Sequence, residues 1–116
     1  MQSELWELRR YRAAAGRAGD LERRFHEAAI PAFRRHGMDF RALWRSTEEP
    51  EEFWYLLRFE SAAERDEAWE RFRADPLWQE AKSSSEAAGP LVVEHGSTLL
   101  GSLTEIGISE GGSNNE

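Results

Sequence analysis

The sequence predicts an α+β domain in which two helices cover one face of a four-stranded antiparallel sheet. The run from Glu52 to Glu60 (EFWYLLRFE) is dense enough in aromatic and branched residues to be a central strand. Segments with strand alternation and helix periodicity follow one another in the order β-α-β-β-α-β. Right-handed crossovers place both helices on the same side of such a sheet, which is the ferredoxin-like arrangement.

The central strand has two different faces, because successive strand residues point to opposite sides of a sheet. One face is an unbroken apolar row, which we interpret as core: Phe53, Tyr55, Leu57 and Phe59. The other face places Arg58 between Trp54 and Leu56. A cation on a covered surface needs a partner, a ligand or trapped water, so we expect a functional site on this face.

The first strand is predicted within residues 3–12 from a similar alternation. Its two faces are expected to divide as follows: Trp6 and Leu8 toward the helices, and Glu7, Arg9 and Tyr11 on the other side. Two interpretations of the polar face stay open. Glu7 and Arg9 satisfy each other as an ion pair, or the acid, cation and phenol form a pocket floor that orients an anionic or phenolic ligand.

The first helix is predicted from an apolar stripe with spacings of three and four residues: Leu21, Phe25, Ala28, Ala29, Ala32 and Phe33. Pro31 is expected to bend it or to remove one backbone hydrogen bond. His36 stands at its C-terminus, where a cation caps the helix favourably. Capping is the favoured role for His36, and a general base at the pocket mouth is the alternative.

A strand from Met38 to Thr47 follows and forms a hairpin with the central strand. Alternation is expected to divide its faces as follows: Phe40, Ala42 and Trp44 on one side, and Arg41, Leu43 and Arg45 on the other. Ser61 and Glu64 stand in capping-box register, so the second helix is expected to start at Ser61. Asp75 and Pro76 predict a break and a further short helix that contains Trp78.

The last strand is predicted from Leu91 to Leu100 and carries Glu94 beside His95. Alternation sends these two side chains to opposite faces, and the sequence leaves open which one reaches the cavity. The domain is expected to span residues 1–100. Residues 101–116 are rich in Gly, Ser and Asn, which is typical of a flexible tail.

The sheet face without helices is expected to carry several large side chains: Tyr11, Trp44, Trp54 and Leu56. Exposing such apolar surface to water costs about 25 cal/mol per Å², so a second copy of the chain is expected to cover this face as a homodimer. Trp44, Trp54 and Trp78 either make core or dimer contacts or line an apolar chamber for a planar ligand.

The composition excludes several classes of function. The formal net charge of -7 repels nucleic acids and anionic membrane surfaces. The absence of cysteine excludes disulfides, thiolate zinc sites and a cysteine nucleophile within the chain.

No apolar run approaches the roughly 20 residues of a membrane span, and the N-terminal residues lack a signal pattern, so we expect a cytoplasmic protein. No metal-ligand spacing, phosphate loop or dinucleotide fingerprint is found, so neither a metal nor a cofactor is expected.

Five segments carry a resemblance to a known family: ELRRY (Glu7 to Tyr11), AAIPAFRRHG (Ala28 to Gly37), RFESAAERDEAW (Arg58 to Trp69), ADPLWQE (Ala74 to Glu80) and VVEHGSTLL (Val92 to Leu100). In this order they resemble the NIPSNAP family, over roughly Leu5 to Leu100. The resemblance implies membership of the dimeric α/β-barrel superfamily. That superfamily includes cofactor-independent monooxygenases, heme-degrading enzymes, decarboxylases and cyclases.

Two functional hypotheses follow. The first is a cofactor-independent enzyme of the oxygenase, cyclase or isomerase type that acts on an aromatic or polyketide-like acid. In it, Arg9, Tyr11 and Arg58 stabilise charge and His36 or His95 transfers a proton. Five further residues are expected to bind the substrate: Glu7, Trp44, Trp54, Leu56 and Trp78. The alternative is a non-catalytic homodimeric interaction or carrier module, in which side chains fill the space beneath the sheet.

Overall fold

The computed structural model describes residues 4–104 of the chain. Four strands form one sheet: β1 (Leu5–Ala13), β2 (Asp39–Arg45), β3 (Glu52–Phe59) and β4 (Val92–Gly101). The helices are α1 (Ala18–Arg24), a π-helical turn (Phe25–Ala29), α2 (Ile30–Arg35), α3 (Ala62–Ala74) and α4 (Pro76–Ser85). The predicted tail lies outside the described residues from position 105 onward.

The sheet is antiparallel throughout and has the strand order β2-β3-β1-β4. The predicted order of elements and the ferredoxin-like fold are therefore confirmed. Arg9 of β1 lies opposite Tyr55 of β3, and Tyr11 lies opposite His95 of β4. Residues directly opposite each other share a face of the sheet, so these pairings fix which side chains meet.

The apolar row of β3 is the centre of the core, as predicted. Its four residues are at most 2% exposed: Phe53, Tyr55, Leu57 and Phe59. Phe33 of α2 stacks against Tyr55, with ring centroids 5.5 Å apart, and against Phe72 of α3 at 5.0 Å. The aromatic rings join the sheet to both α2 and α3.

The first helical segment continues through Pro31 without a break. The N–H of Ile30 donates to the carbonyl oxygen of Phe25, five residues earlier, which widens the preceding turn. A widened turn moves backbone carbonyls away from the proline ring, which would clash with them in a regular α-helix. The helix therefore accommodates Pro31 by means of the π-helical turn that precedes it.

The predicted orientation of β1 is wrong. Glu7 lies opposite the buried Leu57 and Tyr11 lies opposite the buried Phe53, so the polar row faces the helices. Trp6 and Leu8 lie on the open face of the sheet instead. Our expectation assumed that the more apolar row faces inward, and it fails because inward-facing hydrogen-bond partners satisfy the polar side chains of β1.

The predicted faces of β2 are also wrong in part. The pairing of β2 with β3 shifts register between Phe40 and Ala42. This irregularity places Phe40 on the same side as Leu43, toward the core, while Trp44 lies on the open face opposite Trp54. An extra residue in a strand reverses the alternation beyond it.

The helix starts agree with the sequence signals. The Ser61 hydroxyl accepts a hydrogen bond from the Glu64 N–H at 3.1 Å, and α3 begins directly after Ser61, at Ala62. Asp75 accepts hydrogen bonds from the N–H groups of Leu77 and Trp78 at the start of α4. Both N-caps are confirmed.

Candidate functional site

An open cleft lies between the sheet and the helices, where β1 and β4 face α3 and α4. Its two adjoining halves have volumes of about 330 Å³ and 280 Å³. Four residues line both halves and therefore mark the middle of the cleft: Arg9, Tyr11, Trp78 and Lys82. Two come from β1 and two from α4, so the site lies between this strand and this helix.

The floor of the cleft rests on Glu7, which is fully buried. Five hydrogen bonds end on its carboxylate. Oε1 accepts from Arg65 Nε at 2.9 Å and from Trp69 Nε1 at 2.8 Å. Oε2 accepts from Arg9 at 2.9 Å, from Arg65 Nη2 at 3.0 Å and from Ser97 Oγ at 2.6 Å. The carboxylate therefore ties β1 to α3 and to β4.

The same contacts keep Glu7 ionised. Burial by itself raises the pKa of Glu7, because it removes water from the charged form. The hydrogen bonds from Arg65, Ser97, Trp69 and Arg9 outweigh burial and lower the pKa from 4.5 to about 2. Two guanidinium groups face this single carboxylate, so Glu7 neutralises only one of them.

Arg9 is fixed on several sides. Its Nε donates to the Tyr55 hydroxyl at 2.7 Å, Nη1 donates to Glu7, and Nη2 donates to the Tyr11 hydroxyl at 3.2 Å. The guanidinium carbon lies 4.4 Å from the centre of the Trp69 ring, within cation–π range. Within residues 4–104 these bonds use three of the five N–H donors of the guanidinium and leave two without a partner.

The tyrosine pair leaves one hydroxyl proton free. Tyr55 is buried, its hydroxyl accepts from Arg9, and it donates to the Tyr11 hydroxyl at 3.1 Å. Burial raises the pKa of Tyr55 well above its ordinary value although Arg9 lies beside it, so Tyr55 stays a neutral donor. Tyr11 thus accepts two hydrogen bonds. Its own O–H has no acceptor within residues 4–104, and the residue lines both halves of the cleft.

The helix side of the cleft is formed by aromatic rings and by charged side chains. Trp78 packs on Phe72 with ring centroids 4.8 Å apart, and the Arg24 guanidinium carbon lies 5.3 Å from the Trp78 ring. Arg24 donates to Glu86 at 3.0 Å. Lys82, one turn after Trp78, reaches the same carboxylate only at 3.4 Å.

His95 completes the cleft from β4. Its ring centroid is 6.2 Å from that of Tyr11, and it lines the smaller half of the cleft. Glu94 points to the opposite face, where Arg10 and Arg12 lie within 3.6 Å and 3.5 Å. Of the two neighbours between which the sequence could not choose, His95 is the one that reaches the cleft.

Four predicted site residues lie on the open face of the sheet: Arg58, Trp44, Trp54 and Leu56. Arg58 lies opposite Trp6, and its Nε donates to Glu4 at 3.1 Å. The structure therefore does not bring Arg58 to Arg9. The sheet separates the two cations, and each has its own carboxylate partner.

His36 also lies away from the cleft. Its Nε2 is 2.8 Å from Oδ2 of Asp75, the buried N-cap residue of α4. Arg35 donates to the same oxygen at 2.7 Å and holds the pKa of Asp75 well below its ordinary value, together with His36 and two backbone N–H groups. This cluster joins the end of α2 to the start of α4.

The structure adds residues that the sequence reasoning missed: Tyr55, Arg65, Trp69, Lys82 and Ser97. A signal for two of them was present, because Arg65 and Trp69 are four residues apart on one helix and therefore share a face. Trp69 lies in the core, and the position of Arg65 on the same face of α3 identifies Arg65 as a partner for a buried acid.

Two absences hold for residues 4–104. No group of three or more His, Asp or Glu side chains is placed to hold a metal ion within this part of the chain. None of the helices described there has the length and apolar character needed to cross a bilayer.

Comparison with known proteins agrees with this architecture. A NIPSNAP family protein from Agrobacterium tumefaciens superposes with a TM-score of 0.75 at 20% identity, over 86% of this chain and 88% of that one. A NIPSNAP-like domain protein from Burkholderia xenovorans gives 0.76 at 18% identity, over 97% and 94%. These likenesses confirm the predicted fold of the chain.

SnoaB from Streptomyces nogalater, a cofactor-independent oxygenase, superposes with a TM-score of 0.60 at 17% identity, over 91% of this chain and 99% of that one. No curated protein matches the sequence. The sequence profile of the NIPSNAP family matches residues 6–104, which is most of the chain. The protein therefore belongs to the NIPSNAP family.

Proposed function

We propose that the cleft binds an aromatic or polyketide-like acid and that the protein is a cofactor-independent enzyme of the oxygenase, cyclase or isomerase type. The observation that carries this proposal is the pairing of Arg9 with Tyr11. Unused N–H groups of Arg9 and the free O–H of Tyr11 stand side by side in an open cleft. Such fixed donors stabilise an oxyanion that develops on a ligand.

The charge of the cleft supports an anionic ligand. Its lining contains five cationic side chains: Arg9, Arg24, Arg65, Arg73 and Lys82. Only three carboxylates accompany them, namely Asp66 and Glu86 in the lining and Glu7 beneath it. The cleft is thus locally positive in a chain whose formal net charge is -7. A positive cleft attracts anions from solution.

The proposed chemistry begins with loss of a proton from a phenol or enol of the ligand. Arg9 cannot accept this proton, because a guanidinium stays protonated. His95 is the base in this proposal, since an imidazole nitrogen can accept a proton and this residue lines the same cleft. Arg9 and Tyr11 then hold the resulting phenolate or enolate.

Two further observations support an enzyme over a module without a ligand. Beside the packed core, an open cleft remains where β1 and β4 face the helices. The fold is also shared with SnoaB, a cofactor-independent oxygenase, which supports chemistry carried by side chains alone.

We include a homodimer in the proposal, formed through the open face of the sheet, because that face carries Trp44, Trp54 and Leu56.

Titration with 2-naphthol, followed by calorimetry, tests the proposed binding site. We expect Tyr11→Phe to weaken binding by about tenfold, because it removes one neutral hydrogen-bond donor from the phenolate position. Arg58→Ala is the matched control, since it removes a cation from the opposite face of the sheet. Equal affinities of wild type and Tyr11→Phe would contradict the proposal. Oxygen uptake and mass spectrometry of the bound compounds then separate turnover from binding alone.

A further inference from the structure

Lys82 has an unusual position among the charges of the cleft. It is the only lysine in the chain, and the other cationic side chains at neutral pH are arginines. Its side chain is 51% exposed and lines both halves of the cleft. Trp78 precedes it by four residues on α4, so the ammonium group and the indole ring lie on the same face of the helix.

The charge of Lys82 is poorly compensated. Its partner Glu86 lies 3.4 Å away and also accepts a shorter bond, 3.0 Å, from the buried Arg24. Burial raises the pKa of Glu86, but Arg24 and Lys82 outweigh this and lower it, so the carboxylate is ionised. One carboxylate thus serves two cations. Arg24 is the closer one, which leaves the ammonium of Lys82 available to a second anion.

We infer that Lys82 binds a carboxylate of the ligand while Arg9 and Tyr11 bind its phenolate or enolate oxygen. This inference rests on the proposed function and narrows its substrate class. The ligand is a planar hydroxyaryl carboxylic acid whose two acidic groups stand at separate positions on the ring system. Its ring lies along Trp78, and its carboxylate points toward α4.

Three probes separate the two anchors. 6-Hydroxy-2-naphthoate carries both acidic groups at opposite ends of a flat ring, 2-naphthol carries only the hydroxyl, and 2-naphthoate carries only the carboxylate. Wild type is expected to bind 6-hydroxy-2-naphthoate at least about tenfold more tightly than 2-naphthol, the gain typical of a charge-assisted hydrogen bond. Lys82→Met removes this preference, and Lys82→Arg restores most of it.

Arg34→Met is the matched control for charge. Arg34 is exposed on α2, lines neither half of the cleft, and has no polar side-chain partner among the residues described. The variant removes one positive charge elsewhere, so the preference for 6-hydroxy-2-naphthoate should persist. Loss of the preference in Arg34→Met as well would mean that general charge attraction, and not Lys82, produces it.

The single lysine also permits a direct observation. Reductive methylation with ¹³C-formaldehyde labels only Lys82 and the amino terminus. 6-Hydroxy-2-naphthoate and 2-naphthoate should shift the Lys82 methyl signal, whereas 2-naphthol should leave it nearly unchanged. One result would overturn this inference alone. In it, 2-naphthol binds in a Tyr11-dependent way, but Lys82→Met still prefers 6-hydroxy-2-naphthoate to 2-naphthol. Failure of wild type to bind any of the three probes would overturn the proposed function and the inference together.

Discussion

At the scale of single residues, Glu7 organises the polar interior. A carboxylate without water is costly unless hydrogen bonds and opposite charge replace its solvation. Here Arg9, Arg65, Trp69 and Ser97 supply that replacement from three different elements. Because Arg9 is fixed through Glu7, the geometry of the cleft depends on a residue that has no exposed surface itself.

We predict that Glu7→Gln destabilises the fold, and more at pH 7 than at pH 3. The folded-state pKa of about 2 lies below the unfolded value near 4.5, so the contribution of ionised Glu7 is present above pH 4.5 and is lost as pH falls toward 2. This shift corresponds to about 3 kcal/mol at pH 7 and about 1 kcal/mol at pH 3. Urea unfolding of wild type and Glu7→Gln at pH 7 and at pH 3 measures the loss of stability at each pH.

Asp66→Asn is the control for this experiment. Asp66 also contacts Arg65, at 3.1 Å, but its side chain is 74% exposed. Exposed ion pairs contribute little to stability, so we expect a change of less than about 1 kcal/mol at either pH. A Glu7→Gln effect as small as that of Asp66→Asn, or one that grows as pH falls, would contradict a buried, ionised Glu7.

The residue scale also shows the limit of sequence reasoning. Alternation correctly placed Glu7, Arg9 and Tyr11 on one face of β1, because that grouping depends only on the backbone. Which face is buried depends on Arg65 and Ser97, which lie far away in the sequence. Hydropathy alone favoured the face with Trp6 and Leu8, and no local pattern reveals that distant partners satisfy the polar row.

At the scale of elements, local signals predicted the helix boundaries well. Ser61 with Glu64, and Asp75 with Pro76, act through neighbours in the chain, so their spacing is sufficient information. The register irregularities in β2 and β4 are different. They arise from how each strand fits its partner, and they changed the faces that alternation assigned to Phe40.

We predict that Ser61→Ala destabilises the protein by about 1 kcal/mol, because the N–H of Glu64 loses its side-chain acceptor. Amide hydrogen exchange should also accelerate most in the first turn of α3. Ser83→Ala, at an exposed position within α4, is the control and should leave urea unfolding nearly unchanged. Equal effects of the two substitutions would show that the cap at Ser61 does not stabilise α3.

At the scale of the whole molecule, the two faces of the sheet differ in chemistry. The helix-covered face holds the cleft, whose lining carries more cationic than anionic side chains although the chain as a whole is acidic. None of the helices in the described part of the chain covers the opposite face, which carries Trp44, 49% exposed, opposite Trp54. Its cations are paired along the sheet, for example Arg10 with Glu52 at 2.7 Å. Such a face combines apolar area with charges that already have partners.

We predict that this open face joins two copies of the chain in solution. Sedimentation at micromolar concentration should show a dimer, and Trp44→Glu should weaken association at least about a hundredfold, because it places an unpaired charge in a desolvated interface. Leu77→Glu is the matched control, since Leu77 is 65% exposed on α4 and lies on the helix side. Circular dichroism checks that both variants stay folded. Because Trp44 does not line the cleft, dissociated Trp44→Glu should still bind 2-naphthol, whereas a monomeric wild type would contradict the proposed interface.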